Sequence, residues 1–551
     1  MLDSAAVLNG YIIGRGISRF PDISLGREWI DDCIANHTDC AQPQESRLPS
    51  RIIDVGPHNG KTILRLIVPG GQKGHYVTLS HCWGNVSERL VTNKANYQQH
   101  LQEISFENLA RTFQDAIIVT RQLGVRFLWI DCLCIIQDSS EDWQRECPKM
   151  GQIYRDSLVT IAGPGAADSS AGFLHERQHW KFQPARFELS CLMGDGESIG
   201  DVCLAYHGCD AFPIHPLESD SPLEKRGWIF QERILSQRIL YFGSRKMYFE
   251  CCTNFRHEDS HVPCIEGLSR TRLKKEPLTK LENISYWDWQ SILRTYTAAR
   301  LTKPTDKLPA LSGLVSTAQP NLGNRYLAGI WESQILTGLG WYIEDTDLKS
   351  TVASLDSGYI APSWSWASVK SPISTFPIRE VIQPLGNALA ILDVQVELAG
   401  HDPFGELRSG YIKAQGKLKM GMIRNILPET LSICTDGPME FSETNFIATY
   451  YPDDPEMTLF PHFPARRQRR IRMPDLSMFE RRVSILLLGS IESLPTADVP
   501  PSEGWLGLAI EPVPGTENSY RRIGIAEGLF SQFSAARTWF DDSEEIIVEI
   551  I

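Results

Sequence analysis

The chain lacks the positive charge that a general nucleic-acid or anionic-membrane binder needs. Across 551 residues, 54 Lys and Arg stand against 67 Asp and Glu, for a net charge of -13, and affinity for such polyanions rests on positive surface potential. It also lacks any run approaching the ~18 uninterrupted apolar residues of a membrane span; Val483-Ser-Ile-Leu-Leu-Leu488 is far too short. The N-terminal stretch Met1-Leu-Asp-Ser-Ala-Ala6 has neither the basic flank nor the long apolar segment of a secretory signal. Phosphate-loop, dinucleotide-fingerprint, nucleophile-elbow and His-Glu-X-X-His motifs are missing, as are internal repeats and long low-complexity tracts. The expectation is an intracellular, cytoplasmic protein with neither membrane nor nucleic acid as partner. One basic run, Arg466, Arg467, Arg469, Arg470 and Arg472 between Pro464 and Pro474, suits nuclear import or phosphate binding. A solvated loop explains it more simply, because it has no aromatic interleaving.

What is present is ample core material. A hydrophobic fraction of 42% over this length exceeds what one core uses and predicts two or three domains. Thirteen cysteines, an odd count scattered among apolar runs, read as reduced thiols. On that reading the Asn-X-Ser/Thr matches at Asn36, Asn85 and Asn283 are chance.

Residues 1–75 form a lead segment with two strand candidates, Arg51 to Val55 and Leu64 to Val68, expected as a hairpin. The densest block follows, between Tyr76 and Gly172. Leu109, Phe113, Ala116, Thr120 and Leu123 recur at helical spacing, with Gly124 as the stop. Phe127 to Ile130 is apolar without alternation, as in a strand buried on both faces. The order strand, helix, strand, continued by a second helix and the strand Leu158 to Ala162, predicts an α/β core over 76–172 within a domain spanning 76–232. A helix around Trp228 to Glu232 and strands Arg238 to Phe242 and Lys246 to Glu250 come next. Residues 233–360 read as a mixed α/β extension with a helix over Tyr286 to Leu301. Residues 361–551 read as β-rich.

In open α/β sheets, ligands settle at the carboxyl ends of the strands. Two strands here end in polar residues: Val77 to Ser80 runs into His81, Cys82 and Trp83, and Phe127 to Ile130 runs into Asp131. Parallel strands would place Ser80, His81, Trp83 and Asp131 on one rim. The helix after Asp131 starts near Ser139, with Glu141 and Asp142 in its first turn. Taking Trp143 as zero at about 100° per residue, Cys147, Met150, Ile153 and Tyr154 define a buried stripe, and Glu146 falls on it. A carboxylate there needs a partner or a task. Glu146 is therefore the leading candidate for a functional residue, with an ion pair as the competing account. Pro148 interrupts the helix and threatens this phase. Asp131 also suits a cap or turn, His81 a satisfied core histidine, and Trp83 and Trp129 core packing.

Cys251, Cys252, His257, His261 and Cys264 have spacings a zinc site uses, and so do Cys33, His37 and Cys40. Neither set has paired Cys-X-X-Cys knuckles, and reduced structural cysteines with no metal are the preferred reading.

The ordered series Leu79-Ser-His-Cys-Trp-Gly84, Thr112-Phe-Gln-Asp-Ala116, Trp129-Ile-Asp-Cys-Leu-Cys-Ile-Ile-Gln-Asp138, Asp142-Trp-Gln-Arg-Glu146, Met150-Gly-Gln-Ile-Tyr154 and Arg226-Gly-Trp-Ile-Phe-Gln-Glu232 resembles the fungal heterokaryon incompatibility (HET) domain. The resemblance implies a role in non-self recognition, in which contact between incompatible cells triggers programmed death. The HET family is also regarded as a distant relative of the Toll/interleukin-1 receptor (TIR) domain, which implies a TIR-like or flavodoxin-like sheet with flanking helices. Some TIR-like domains cleave NAD with a helical glutamate near a tryptophan. Trp143 and Glu146 lie three residues apart here, where the usual TIR spacing is four.

Two mechanisms follow from the resemblance. In one, the domain is an effector or signalling module acting through self-association or a protein partner, and no cofactor is needed. In the other it is an NAD glycohydrolase: Glu146 stabilises the oxocarbenium-like sugar, Asp131, His81 and Ser80 position the ribose, and Trp83, with Trp143 nearby, contacts the ligand. A zinc-stabilised structural or binding protein is the third alternative.

Overall fold

The computed structural model describes residues 18–57, 63–84, 90–177, 186–192, 198–205, 221–223, 225–258, 283–323, 325–343, 358–375, 389–427, 430–435, 446–453, 480–492, 503–530 and 534–551. The chain divides into two compact units, Met1–Asn283 and Ile284–Ile551. Helices and strands mix in the first, and the C-terminal region is β-rich. Among the described residues no helix is long and apolar enough to cross a membrane.

The first unit is built on one eight-stranded mixed sheet. Its strands in chain order are β1 (Ile52–Asp54), β2 (Arg65–Ile67), β3 (Tyr76–Ser80), β4 (Phe127–Trp129), β5 (Val159–Ala162), β6 (Arg238–Phe242), β7 (Met247–Cys251) and β8 (Phe255–His257). In space they run β8-β7-β6-β5-β3-β4-β1-β2. The central four are parallel: β3 pairs with β4 and with β5, and β5 pairs with β6. Antiparallel pairs flank them, β1 with β4 and β2 on one side, β6 with β7 and β7 with β8 on the other. The β1–β2 pairing is the expected hairpin.

Central parallel strands are covered on both faces, which explains their runs without alternation; every residue of β3, β4 and β5 is buried. The buried threonines satisfy each other. Thr78 Oγ1 lies 2.7 Å from Thr160 Oγ1, Thr160 Oγ1 lies 2.5 Å from Ser236 Oγ, and the Ser236 hydroxyl donates to the Glu232 carbonyl at 2.5 Å. This relay ties β3 and β5 to the helix that precedes β6.

Helix α1 (Ile23–Asn36) is capped by Asp22, whose Oδ1 accepts from the Ser24 and Leu25 N–H groups at 3.1 and 3.4 Å. It turns Ile23, Leu25, Trp29, Ile30 and Cys33 inward, and Gly26 brings its backbone so near β6 that an added Cβ would lie 2.7 Å from Leu240 Cδ2. Helix α2 (Arg111–Gln122) connects β3 to β4 and ends at Gly124, whose φ of 76° suits glycine.

The single helical phase expected after Asp131 is corrected by the structure. Asp131–Cys134 forms the short α3, Ser140–Glu146 forms α4, a 3₁₀ turn over Cys147–Lys149 carries Pro148, and Met150–Asp156 forms α5. Pro148 lacks the N–H that would continue the ladder, so α4 ends there. Cys147, Met150, Ile153, Tyr154 and Glu146 are nonetheless all buried, whereas Trp143 is half-buried. Helix α6 (Gly227–Leu235) leads into β6.

In the second unit, strands β9 (Ala390–Leu398), β10 (Leu407–Leu427), β11 (Thr430–Cys434), β12 (Phe446–Pro452), β13 (Glu480–Glu492), β14 (Glu503–Pro512), β15 (Ser519–Leu529) and β16 (Glu545–Ile550) form a second large sheet. The path β10-β11-β12-β15-β14-β13 returns to β10, so six strands close into a ring. Its core holds Ile423, Tyr450, Ile485 and Trp505, with Trp505 stacked on Trp539 at a centroid distance of 5.4 Å.

Candidate functional site

The parallel register of β3 and β4 carries Ser80 and Asp131 to the same edge of the sheet. Ser80 ends β3, and Asp131 opens α3 one residue beyond Ile130. The rim expected from sequence is therefore assembled for Ser80, His81, Trp83 and Asp131. Trp83 Nε1 donates to Asp131 Oδ2 at 2.8 Å, the Cys132 N–H donates to Oδ1 at 2.7 Å, and His81 Nδ1 lies 4.0 Å from Oδ1. The His81 ring is buried, edge-on to Phe113 with centroids 5.1 Å apart. Arg226, just ahead of α6, donates from Nη1 to the His81 carbonyl. His81, Asp131 and Cys132 present ligand atoms within 4.8 Å of one another.

Glu146 belongs to a different set of contacts. Its carboxylate pairs with Lys149 Nζ at 2.9 Å and Arg145 Nε at 3.5 Å. Arg145 also pairs with Asp142, and Asp142 with Arg51, which sits immediately before β1. Burial works against charge at Asp142, but hydrogen bonds from Arg51 and the Ile136 N–H hold its carboxyl below the usual range. The described partners of Glu146 are thus cations of α4 and the following turn, and it shares none of them with His81 or Asp131. Trp143 packs edge-on against Trp228 of α6, centroids 5.7 Å apart.

The residue that sequence reasoning passed over is Glu232. It sits on the inward face of α6 beside Gln231 and Trp228, 5% exposed. Burial pushes its carboxyl up to about 7; the Ser80 hydroxyl lowers it, the Asp131 charge raises it, and Arg226 and the Tyr154 hydroxyl lower it again. Among the described residues its Oε2 has no hydrogen-bond partner. Tyr154, from α5, donates to the Leu79 carbonyl at 3.1 Å and is itself raised well above the usual phenol range, first by burial and then by the Glu232 charge. Glu232 thus titrates near neutral pH in the same electrostatic neighbourhood as Asp131, Ser80 and Arg226. The sequence did hold the signal, since Glu232 follows Trp228 by four residues and so lies on the same helical face, the argument that singled out Glu146.

Beside this cluster, Ser80, Thr160, Ala162, Leu223, Ile229 and Tyr241 line a cavity with room for about one water molecule. Arg233, also of α6, is paired with Glu250 through Nη2 to Oε1 at 2.7 Å.

The two cysteine-histidine sets are sorted differently from the sequence grouping. Cys251 joins Cys33, His37 and Cys40 in one buried cluster. Cys252 is buried with its Sγ 3.8 Å from Gln237 Oε1, and His257 is half-buried in β8. His261, Cys264, Asn85 and the arginine run 466–472 lie outside the described residues.

No curated protein and no solved structure matches the chain. Residues 76–232, the stretch that holds Ser80, His81, Trp83, Asp131, Glu146 and Glu232, match the family model described as Heterokaryon incompatibility protein (HET).

Proposed function

We propose that the chain is an effector of fungal non-self recognition whose HET domain drives a cell-death response through protein contacts, by self-association or with a partner, and without breaking a bond. The family match over 76–232 supports the biology. The observation that carries the mechanism is the closure of Glu146 in ion pairs with Lys149 and Arg145, which fits a residue holding α4 in shape. The cavity beside Ser80 takes about one water and not a nucleotide. The strand order β4-β3-β5-β6 supports a doubly wound, TIR-like or flavodoxin-like core, a scaffold that serves recognition and catalysis alike.

The test is induced expression of the full chain in a filamentous fungal host. Loss of viability is expected, and Glu146→Gln should kill as well as the parent. Unchanged growth while the protein accumulates would end the effector reading. Nicotinamide release from NAD by the purified full chain, abolished by Glu146→Gln, would replace the contact module with a glycohydrolase.

A further inference from the structure

Four potential ligands converge from places far apart in sequence. Cys33 lies in the last turn of α1, His37 is the residue at which the chain leaves that helix, and Cys40 follows in the next loop. Cys251 is the last residue of β7. All four are buried, and one ligand atom from each lies within 4.8 Å of every other. His37 Nδ1 is 3.9 Å from Cys40 Sγ and 3.3 Å from Cys251 Sγ. A tetrahedral ion with Zn–S bonds of about 2.3 Å and Zn–N bonds of about 2.0–2.1 Å sets sulfur and nitrogen about 3.5 Å apart. The observed distances bracket that edge.

The surroundings point the same way. Each sulfur has a polar neighbour of its own: Arg238 Nε donates to Cys33 Sγ at 3.2 Å, Thr253 Oγ1 lies 3.4 Å from Cys40 Sγ, and the Asn254 N–H donates to Cys251 Sγ at 3.2 Å. The far nitrogen of His37, Nε2, lies 2.7 Å from the side-chain amide of Asn254; with the amide oxygen turned to the ring, it accepts the Nε2–H and leaves Nδ1 free to ligate. Donors aimed at sulfur stabilise thiolates over thiols.

Arg238 adds a separate argument from charge. It is 1% exposed, and its described hydrogen bonds go to Cys33 Sγ, the Ala41 carbonyl at 2.7 Å and the Leu158 carbonyl at 3.5 Å. A guanidinium stays charged in a protein, and a buried charge needs a counter-charge. Among the described residues no carboxylate pairs with it. A dication held by three thiolates and a neutral imidazole carries one net negative charge, which the guanidinium balances.

We propose that Cys33, His37, Cys40 and Cys251 bind one zinc ion in a closed, structural Cys3His site. Soft thiolates with one imidazole in a tetrahedral set select zinc over the hard cations. Three thiol protons leave to solvent as the Zn–S bonds form. The ion fastens α1, which precedes the segment 76–232, to β7, which follows it. All four ligands lie outside 76–232, so the site is a property of the surrounding unit and stands independently of the proposed function.

The experiment is elemental analysis of the full chain purified without chelator, followed by replacement of its metal with cobalt(II). About one zinc per chain is expected, together with a thiolate-to-cobalt charge-transfer band and the visible bands of a tetrahedral centre. Cys251→Ser should lose most of the metal, whereas Cys252→Ser, one residue away, should keep it. If Cys251→Ser does not fold, the stoichiometry and the cobalt spectrum of the parent chain decide. A folded parent chain with no zinc and no cobalt spectrum overturns the proposal, as does full zinc retention in soluble Cys251→Ser, or mass spectrometry that finds two of the three cysteines joined as a disulfide.

Discussion

Glu232 is a carboxyl group kept as an acid by its surroundings, and this makes its titration visible in stability. Its folded value of about 7 lies above the ordinary 4.5 of an exposed glutamate. Between those values the folded protein holds a proton that the unfolded chain releases. The contribution to stability is therefore complete below pH 4.5 and is lost as the pH rises through 7, by up to about 3 kcal/mol. Urea unfolding of the parent chain and of Glu232→Gln from pH 5 to 8 measures this. The Gln variant should show the shallower decline with pH, and coincident profiles would mean that Glu232 is ionised throughout. The rim residues Ser80, His81, Trp83 and Asp131 were legible because strand ends and parallel order place them without side-chain detail. For Glu232 only its place on the Trp228 face of a helix was legible; its partners were not, because what α6 packs against joins residues about 80–150 positions apart.

The elements are held together by charge as well as by apolar contact. Arg51 reaches from the start of β1 to Asp142 in the first turn of α4, and its Nε donates to the Cys134 carbonyl at 2.6 Å. Both side chains are nearly inaccessible, at 8% and 2% exposure. Removing Arg51 leaves Asp142 with Arg145 as its remaining cation and takes away one buried charged hydrogen bond, so Arg51→Ala should destabilise by about 1.5–3 kcal/mol, whereas the double change Arg51→Met with Asp142→Leu should recover much of that. A double-mutant cycle by chemical denaturation measures the coupling, and additive losses would mean that the two groups act separately. From sequence, Asp142 reads only as an acid suited to a helix start, which it is. Its second role depends on Arg51, which no local pattern connects to it. Pro148 shows the opposite case: its chemistry was visible at once, but only the structure shows that the chain regains a helix at Met150 with the same residues inward.

The sheet of the first unit crosses both ends of the segment 76–232 that matches the HET family model. Strands β1 and β2 precede residue 76, and β6, β7 and β8 follow residue 232. Excising 76–232 would strip β4 of its partner β1 and β5 of its partner β6, exposing two edges of a parallel sheet. The excised segment should therefore show no cooperative unfolding and should bind hydrophobic dyes, whereas residues 1–283 should unfold cooperatively; near-ultraviolet circular dichroism with denaturant distinguishes them. A cooperative transition for 76–232 alone would show that its own strands suffice. The sequence divisions at 75/76 and 232/233 follow the density of motifs, whereas strand pairing depends on partners that motif density does not reveal.

Helix α1 sets a timing problem for synthesis. Gly26 packs on Leu240 and Trp29 lies near Phe249, so the helix is made more than 200 residues before the strands it rests on. At about 5–20 residues per second, its apolar stripe emerges from the ribosome about 10–40 s before β6 exists. During that interval the nascent chain carries an unsatisfied hydrophobic helix, which makes it a natural client for chaperones that bind emerging polypeptides.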